Sequence, residues 1–222
     1  ADLGILACDG NFASALASQT EGWNDTDVVL SGMIGSRNGW MEMPYLECPA
    51  GISELAAGMK RLDAPEFAGR ALWFVPGMTT GSDLEAPDVM RGEEAQLCGL
   101  LDTMNQGTHM ICLPGTHSKW ATVREGRIAS FATAMTGEVY ALLRQHSILG
   151  RLMNGDASRF DAYAFDAGLR RSAQSGGLLH HLFGVRTAGL FQRFTESALP
   201  SYLSGLLIGH EVHASELLTR VP

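Results

Sequence analysis

Between Asn11 and Trp23 the apolar residues Phe12, Ala15 and Leu16 return at helical spacing, and Val28-Val29-Leu30 follows as a short apolar run. The first pattern predicts an amphipathic helix and the second a buried strand. The alternation then repeats. Ile52 to Leu62 reads as a second helix, and Ala71-Leu72-Trp73-Phe74-Val75 as a strand closed by Pro76-Gly77. A polar loop from Thr79 to Pro87 precedes Val89 to Met104, where Met90, Leu97, Leu100, Leu101 and Met104 restore helical periodicity. That loop is expected to deliver polar residues to the start of the third helix.

From Thr108 the period changes. His109 to Leu113, Lys119 to Val123 and Arg127 to Thr133 read as three short strands, joined by turns at Pro114-Gly115-Thr116-His117 and Glu125-Gly126. They predict a meander, and the residues from Thr136 onward predict helices. A lobe boundary is expected near Asn105 to Thr108, dividing the chain into 1–107 and 108–222. No short-period repeat points to a solenoid.

Composition narrows the classes of function. The 222 residues are 45% hydrophobic, enough for one or two packed cores. Lys and Arg number 16 against 24 Asp and Glu, a formal charge of -8, so no broad positive field exists to attract nucleic acid or an anionic membrane. Apolar runs such as Leu203 to Ile208 are far shorter than the roughly 20 residues of a membrane span. Cys8, Cys48, Cys98 and Cys112 form no CxxC pair, which argues against a zinc site and for thiols in a reducing compartment. The first residues contain neither an initiating Met nor a signal-peptide pattern, so the expectation is a cytoplasmic chain that starts after its natural beginning.

Four segments carry candidate chemistry. Ser31 to Trp40 places several glycines after a strand, either an ordinary turn or a loop that brings backbone close to a ligand. Asp88-Val89-Met90-Arg91-Gly92-Glu93-Glu94-Ala95-Gln96 puts carboxylates at a helix start, where the dipole alone accounts for them; alternatively, Arg91 holds a substrate carboxylate while a glutamate accepts a proton. Leu113 to Trp120 offers backbone N–H groups, two hydroxyls and an ammonium, the makings of an anion nest or of a plain hairpin with a surface lysine. In Met135-Thr136-Gly137-Glu138-Val139-Tyr140, Thr136 or Gly137 is expected to cap a helix. His210-Glu211-Val212-His213 misses HExxH spacing by one residue, and neither GxxxxGK[ST] nor GxSxG occurs, so a zinc protease, a Walker loop and an esterase elbow are disfavoured.

In order along the chain, Gly32 to Trp40 with Pro44-Tyr45, Val89 to Gln96, Pro114 to Trp120 and Met135 to Glu138 resemble the signature blocks of 2-dehydro-3-deoxygalactonokinases. Phe165 to Leu169 and Leu203 to Glu211 extend the resemblance over nearly the whole chain. It implies an α/β protein of the actin-like ATPase, ribonuclease-H-like fold, with two lobes and a central cleft for ATP and sugar acid. It also implies transfer of phosphate from magnesium-bound ATP to the terminal hydroxyl of 2-dehydro-3-deoxygalactonate, giving the 6-phosphate. The turn Gly115, Thr116, His117 and Ser118 is similar to the second phosphate motif of sugar kinases. By similarity to glycerol and xylulose kinases, the base is the first acidic residue after a glycine, here Glu93, with Glu94 and more weakly Asp88 as competitors. Ser36, Arg37 and Asn38 lie in the loop that would contact substrate, and charge complementarity nominates Arg91 for its carboxylate. An Asp-x-Gly-Ser/Thr phosphate motif and a Gly-rich adenine segment are not recognisable, so truncation at both ends is expected. The alternative is a non-catalytic sugar-acid-binding protein with a regulatory or assembly role.

Overall fold

The computed structural model describes residues 7–153 and 159–218. Two compact units emerge, one of residues 1–113 with 121–132 and one of residues 114–120 with 133–222. Compact packing thus groups most of the meander with what precedes it, whereas the expected lobe boundary lay ahead of the meander.

The first unit begins with α1 (Phe12–Gln19), whose N-terminus is closed by the Asn11 side chain accepting from the Ser14 N–H at 3.3 Å. It ends short of the expected Trp23, and Thr20 is its C-cap. Next come β1 (Asp27–Leu30), β2 (Tyr45–Glu47), α2 (Ile52–Gly58), β3 (Lys60–Leu62), β4 (Ala71–Phe74), β5 (Gly77–Thr79), β6 (Val89–Met90) and α3 (Glu93–Leu101). The expected helix over 52–62 is therefore a helix followed by a strand. The expected helix over 89–104 starts only at Glu93, because Gly92 at φ +119° breaks the run and leaves Val89-Met90 to pair as a strand.

Strands β1, β4 and β3 form one sheet, with β1 parallel and β3 antiparallel to β4. Leu72 and Phe74 alternate with half-exposed neighbours and point into a core with Val28, Met43 and Phe67. Strands β2, β5 and β6 make a second sheet, where Met78 faces Met90 across an antiparallel pair. Thr79 and Thr80 fasten this pair to Asp88: the Thr79 hydroxyl donates to the Asp88 carbonyl at 2.9 Å, and the Asp88 N–H donates to the Thr80 hydroxyl at 2.9 Å. The polar loop 79–87 thus closes a β turn rather than feeding a helix directly.

The meander forms as expected: β7 (Thr108–Leu113), β8 (Ser118–Arg124) and β9 (Arg127–Ala134) pair in that order. Ala121, Val123, Ile128 and Phe131 join Leu97, Leu101, Met78 and Met90 in the larger core of the first unit.

The second unit is helical beyond the meander: α4 (Thr136–His146), α5 (Ala162–Ser172), α6 (Gly177–Leu190) and α7 (Leu199–Leu218). The residue at the N-cap of α4 is Met135, without a side-chain cap, so neither Thr136 nor Gly137 plays that part. Leu149, Ala164, Val185, Leu199, Leu203 and Leu206 make the core. Helices α5 and α7 approach so closely that a Cβ on Gly205 would stand 2.0 Å from the Phe165 carbonyl oxygen, and one on Gly168 2.3 Å from that of Tyr202. Two sequence blocks, Phe165 to Leu169 and Leu203 to Glu211, are thereby explained as a helix-packing seam.

Candidate functional site

In the first unit, the loop after β1 and the turn before α3 meet backbone to backbone. Gly32 has φ +92° and Gly92 φ +119°, and a Cβ on Gly92 would stand 3.2 Å from the Gly32 Cα. Both positions need glycine, for conformation and for space.

Glu94 ties this contact together. It is fully buried, and its carboxylate accepts from the Gly92 N–H at 2.7 and 2.8 Å and from the Ser31 hydroxyl at 3.2 Å. Burial pushes its carboxyl pKa up, outweighing the hydrogen bonds that pull it down, and the Glu93 charge adds to the rise. Glu93 is half-buried, and one of its oxygens accepts from the Arg91 N–H at 3.1 Å. The two adjacent glutamates therefore differ: Glu94 is consumed by the fold, whereas Glu93 is within reach of solvent.

Arg91 stacks its guanidinium on Tyr45, 4.3 Å from the ring centroid, and donates through Nη2 to the Met43 carbonyl at 2.8 Å. Its Nε and Nη1 are buried without a hydrogen-bond partner among the described residues, as is the Ser36 hydroxyl oxygen. Gly35 lies against the same guanidinium, with its Cβ position 3.3 Å from Nη1. Arg37 instead projects to solvent at 85% side-chain exposure, 3.4 Å from Glu42, and Asn38 is exposed. Asp88 is spent on the β5–β6 turn, and its own carboxylate accepts from the Val89 N–H at 2.7 Å.

In the second unit, Gly115, Thr116 and His117 are exposed, and their N–H groups make no hydrogen bond among the described residues. Two contacts with α4 hold the turn. The Glu138 N–H donates to the Thr116 carbonyl at 3.0 Å, and His117 Nε2 meets the Glu138 carboxylate at 2.5 Å. Gly137 permits this, since a Cβ there would stand 2.5 Å from the Gly115 carbonyl oxygen. Ser118 is buried and donates to Glu211 at 3.4 Å, the same carboxylate that accepts from the Trp120 indole at 2.7 Å. Lys119 is no surface lysine: it is 5% exposed and donates to the Thr133 hydroxyl at 2.7 Å. Of the expected anion nest, the backbone donors and the Thr116 hydroxyl face solvent, while the second hydroxyl and the ammonium are used internally.

Comparison with known proteins is decisive here. Residues 1–220 match the family described as 2-keto-3-deoxy-galactonokinase. The chain belongs to that family. Among galactonokinase relatives, the protein of Escherichia coli (strain K12) named 2-dehydro-3-deoxygalactonokinase is 35% identical over 95% of this chain and 70% of its own length. The protein of Rhizobium meliloti (strain 1021) named as probable 2-dehydro-3-deoxygalactonokinase is 36% identical over 83% of this chain, and the match covers 60% of that relative. A crystal structure assigned to a 2-dehydro-3-deoxygalactonokinase protein from Sinorhizobium meliloti superposes with a TM-score of 0.83 at 32% identity, covering 98% of this chain and 71% of that one. The chain thus spans about 60 to 71% of the length of these galactonokinase relatives. Among the described residues, no helix is long and apolar enough to cross a membrane, and no group of three or more His, Cys, Asp or Glu side chains is placed to hold a metal ion.

Sequence reasoning missed Tyr45 and the Met43 carbonyl as partners of Arg91, Ser31 as a partner of Glu94, and Glu211 as the anchor of Ser118 and Trp120. Only the blocks that contained Tyr45 and Glu211 hinted at them.

Proposed function

We propose that the protein phosphorylates the terminal hydroxyl of 2-dehydro-3-deoxygalactonate, using ATP, in an actin-like, two-lobed architecture. Family membership supports the reaction class. The observation that carries the substrate assignment is the Arg91 guanidinium, with Nε and Nη1 buried and unpartnered beside the unpartnered Ser36 hydroxyl. A buried donor without an acceptor costs about 1–3 kcal/mol, so such a cluster is stable only where something else repays it, and a planar carboxylate matches the Arg fork. Because these atoms are closed to solvent and Gly35 packs on them, the carboxylate enters when the loop around Gly35 lifts. Arg37 and Asn38, exposed at the same loop, meet the hydroxyl face of the sugar acid once it is bound.

Glu93 acts as the base. Its carboxylate takes the proton of the attacking hydroxyl as the new O–P bond forms and the bond from the γ-phosphorus to the departing ADP breaks, a contribution on the order of 10²–10⁴-fold. Glu94 is unsuited to that part because its lone pairs are occupied by Gly92 and Ser31. The exposed N–H groups of Gly115, Thr116 and His117, with the Thr116 hydroxyl, fit nucleotide phosphates, since they are donors with no protein partner. Ser118 supports the turn through Glu211 rather than by direct contact. ATP would supply the transferable phosphoryl group, and magnesium carried on its phosphates would neutralise their charge, with the Glu138 carboxylate, engaged here by His117, as the acidic group at this turn. Use of ATP supports a cytoplasmic location.

The test is ADP release by the full-length protein with 2-dehydro-3-deoxygalactonate. Glu93→Gln is expected to lower kcat at least about 100-fold with little change in KM. Arg91→Lys is expected to raise KM for the sugar acid and leave KM for ATP unchanged. Full activity in Glu93→Gln removes the base assignment. Tight sugar-acid binding without any ADP release in the wild type would instead favour a non-catalytic binding protein.

A further inference from the structure

A cavity of about 460 Å³ opens where the end of α5, the end of α6 and the start of α7 meet. Arg171, Thr187, Phe191, Arg193 and Tyr202 contribute side chains to its wall, and no carboxylate lines it. Two arginines lining one cavity run against the composition of a chain with formal charge -8.

Neither arginine is neutralised by a carboxylate among the described residues. Arg193 follows a left-handed residue, Gln192 at φ +54°, and its N–H donates to the Ala188 carbonyl at 2.8 Å while that of Gln192 donates to Gly189 at 3.0 Å. This reciprocal pair is a Schellman cap, which fixes the backbone of Arg193 and occupies the carbonyls that would otherwise attract its charge. The Arg193 side chain makes no hydrogen bond or ion pair among the described residues. Arg171 donates to the neutral Gln174 amide at 2.5 Å, which orients the fork and leaves its charge uncompensated. Tyr202 is 7% exposed, its ring stacked on Phe194 at 5.0 Å, and its hydroxyl has no hydrogen-bond partner among the described residues. Burial keeps that hydroxyl protonated, and hence a donor.

Thr187 spends its hydroxyl proton on the Gly184 carbonyl at 3.1 Å, so the side-chain donors left to an occupant are those of Arg171, Arg193 and the Tyr202 hydroxyl. Such a wall selects an anion rather than a neutral sugar. A single carboxylate would leave one guanidinium unmatched, whereas a phosphate monoester carries a charge of about -1.5 to -2 at neutral pH. Phe191, 76% exposed at the rim, suits the carbon skeleton of the ester. The phosphate turn is a different place: its anchor Glu211 lies nine residues after Tyr202 on α7, about 13.5 Å along the helix.

We infer that the helical unit carries a second anion site, formed by Arg171, Arg193 and Tyr202, that binds a small phosphate monoester. It is independent of the proposed kinase reaction. A sugar phosphate and a nucleoside monophosphate share the required chemistry.

The experiment is calorimetric titration of the full-length protein with inorganic phosphate, a hexose 6-phosphate and AMP, with the neutral hexose as control. The wild type is expected to bind the phosphates and not the hexose, and Arg193→Ala and Arg171→Ala each to weaken binding about tenfold or more. Thr116→Ala, which alters only the turn, is expected to retain this binding. Tighter binding of the hexose phosphate than of AMP assigns the site to sugar phosphates, and the reverse assigns it to nucleotides. Unchanged affinity and stoichiometry in the double arginine variant overturn the proposal, as does absence of binding in the wild type. A second measurement needs no variant: the phosphates should protect Arg171 and Arg193 of the wild type from phenylglyoxal, mapped by mass spectrometry. Equal modification with and without them also overturns it.

Discussion

Adjacent carboxylates can serve opposite purposes, and Glu93 and Glu94 show why. The helical turn of 100° between neighbours sends one towards the Gly32–Gly92 contact and leaves the other at the rim. Glu94→Ala is expected to leave the Gly92 N–H and the Ser31 hydroxyl without an acceptor and to destabilise the protein by about 1–3 kcal/mol per donor. Glu94→Gln keeps one acceptor and should cost less in urea denaturation. The pH dependence follows from the raised pKa: stability contributed by the wild-type carboxyl is fully present below about 4.5, its unfolded value, and is lost as pH rises through the higher folded value. The wild type should therefore lose stability relative to Glu94→Gln as pH rises above about 4.5. An unchanged difference across that range would show that Glu94 is not strained by burial. The sequence exposed both glutamates as candidates because a glycine before two acids at a helix start is visible in one dimension. It did not say which was buried, since that depends on Ser31, 63 residues away.

Among the elements, the α5–α7 pair is set by glycines that remove side chains where backbones must pass. Gly205→Ala places a methyl group inside contact distance of the Phe165 carbonyl, which only backbone movement relieves. Overpacking of this kind costs about 1–3 kcal/mol or more, measurable as a lower urea midpoint. The α6–α7 pair carries a different constraint. His181 is fully buried and donates through Nε2 to the Ser175 carbonyl at 3.0 Å, so in its neutral form Nδ1 accepts from His210 Nε2 at 2.9 Å. Burial, then the neighbouring His181 and His213, hold the His210 pKa below its usual 6.5. A depressed histidine contributes stability that is present above about 6.5 and lost as pH falls through the folded pKa. The urea midpoint of the wild type should accordingly drop on acidification below about pH 6.5, and more steeply than that of His210→Gln. Parallel profiles for the two proteins would refute the assignment. The sequence displayed these histidines, but as unrelated pairs at 180–181 and 210–213, because nothing local signals that α6 lies against α7.

For the whole molecule, two compact units, each with its own core, provide the frame. Phe74 and Leu203 are both fully buried, one in each unit. Phe74→Ala should cost about 3–5 kcal/mol and Leu203→Ala about 2–5 kcal/mol. Amide exchange is the sharper measurement: protection should fall first in β1 and β4 for the former and in α5 and α7 for the latter. Uniform loss across the molecule in both variants would mean that the cores do not unfold as separate units. What the sequence determined by itself is the meander, the acidic helix start, the turn at Pro114 to His117 and the family, because each is written in contiguous residues through period, turn chemistry or ordered blocks. What only the tertiary structure decided is which members of those blocks meet. The short strands β2, β3 and β6 owe their existence to partners rather than propensity. The same holds for the buried fork of Arg91, the internal hydrogen bonds of Ser118 and Lys119, and the cavity lined by Arg171 and Arg193. Hydrophobic period records which face of an element turns inward, but it does not record what that face will touch.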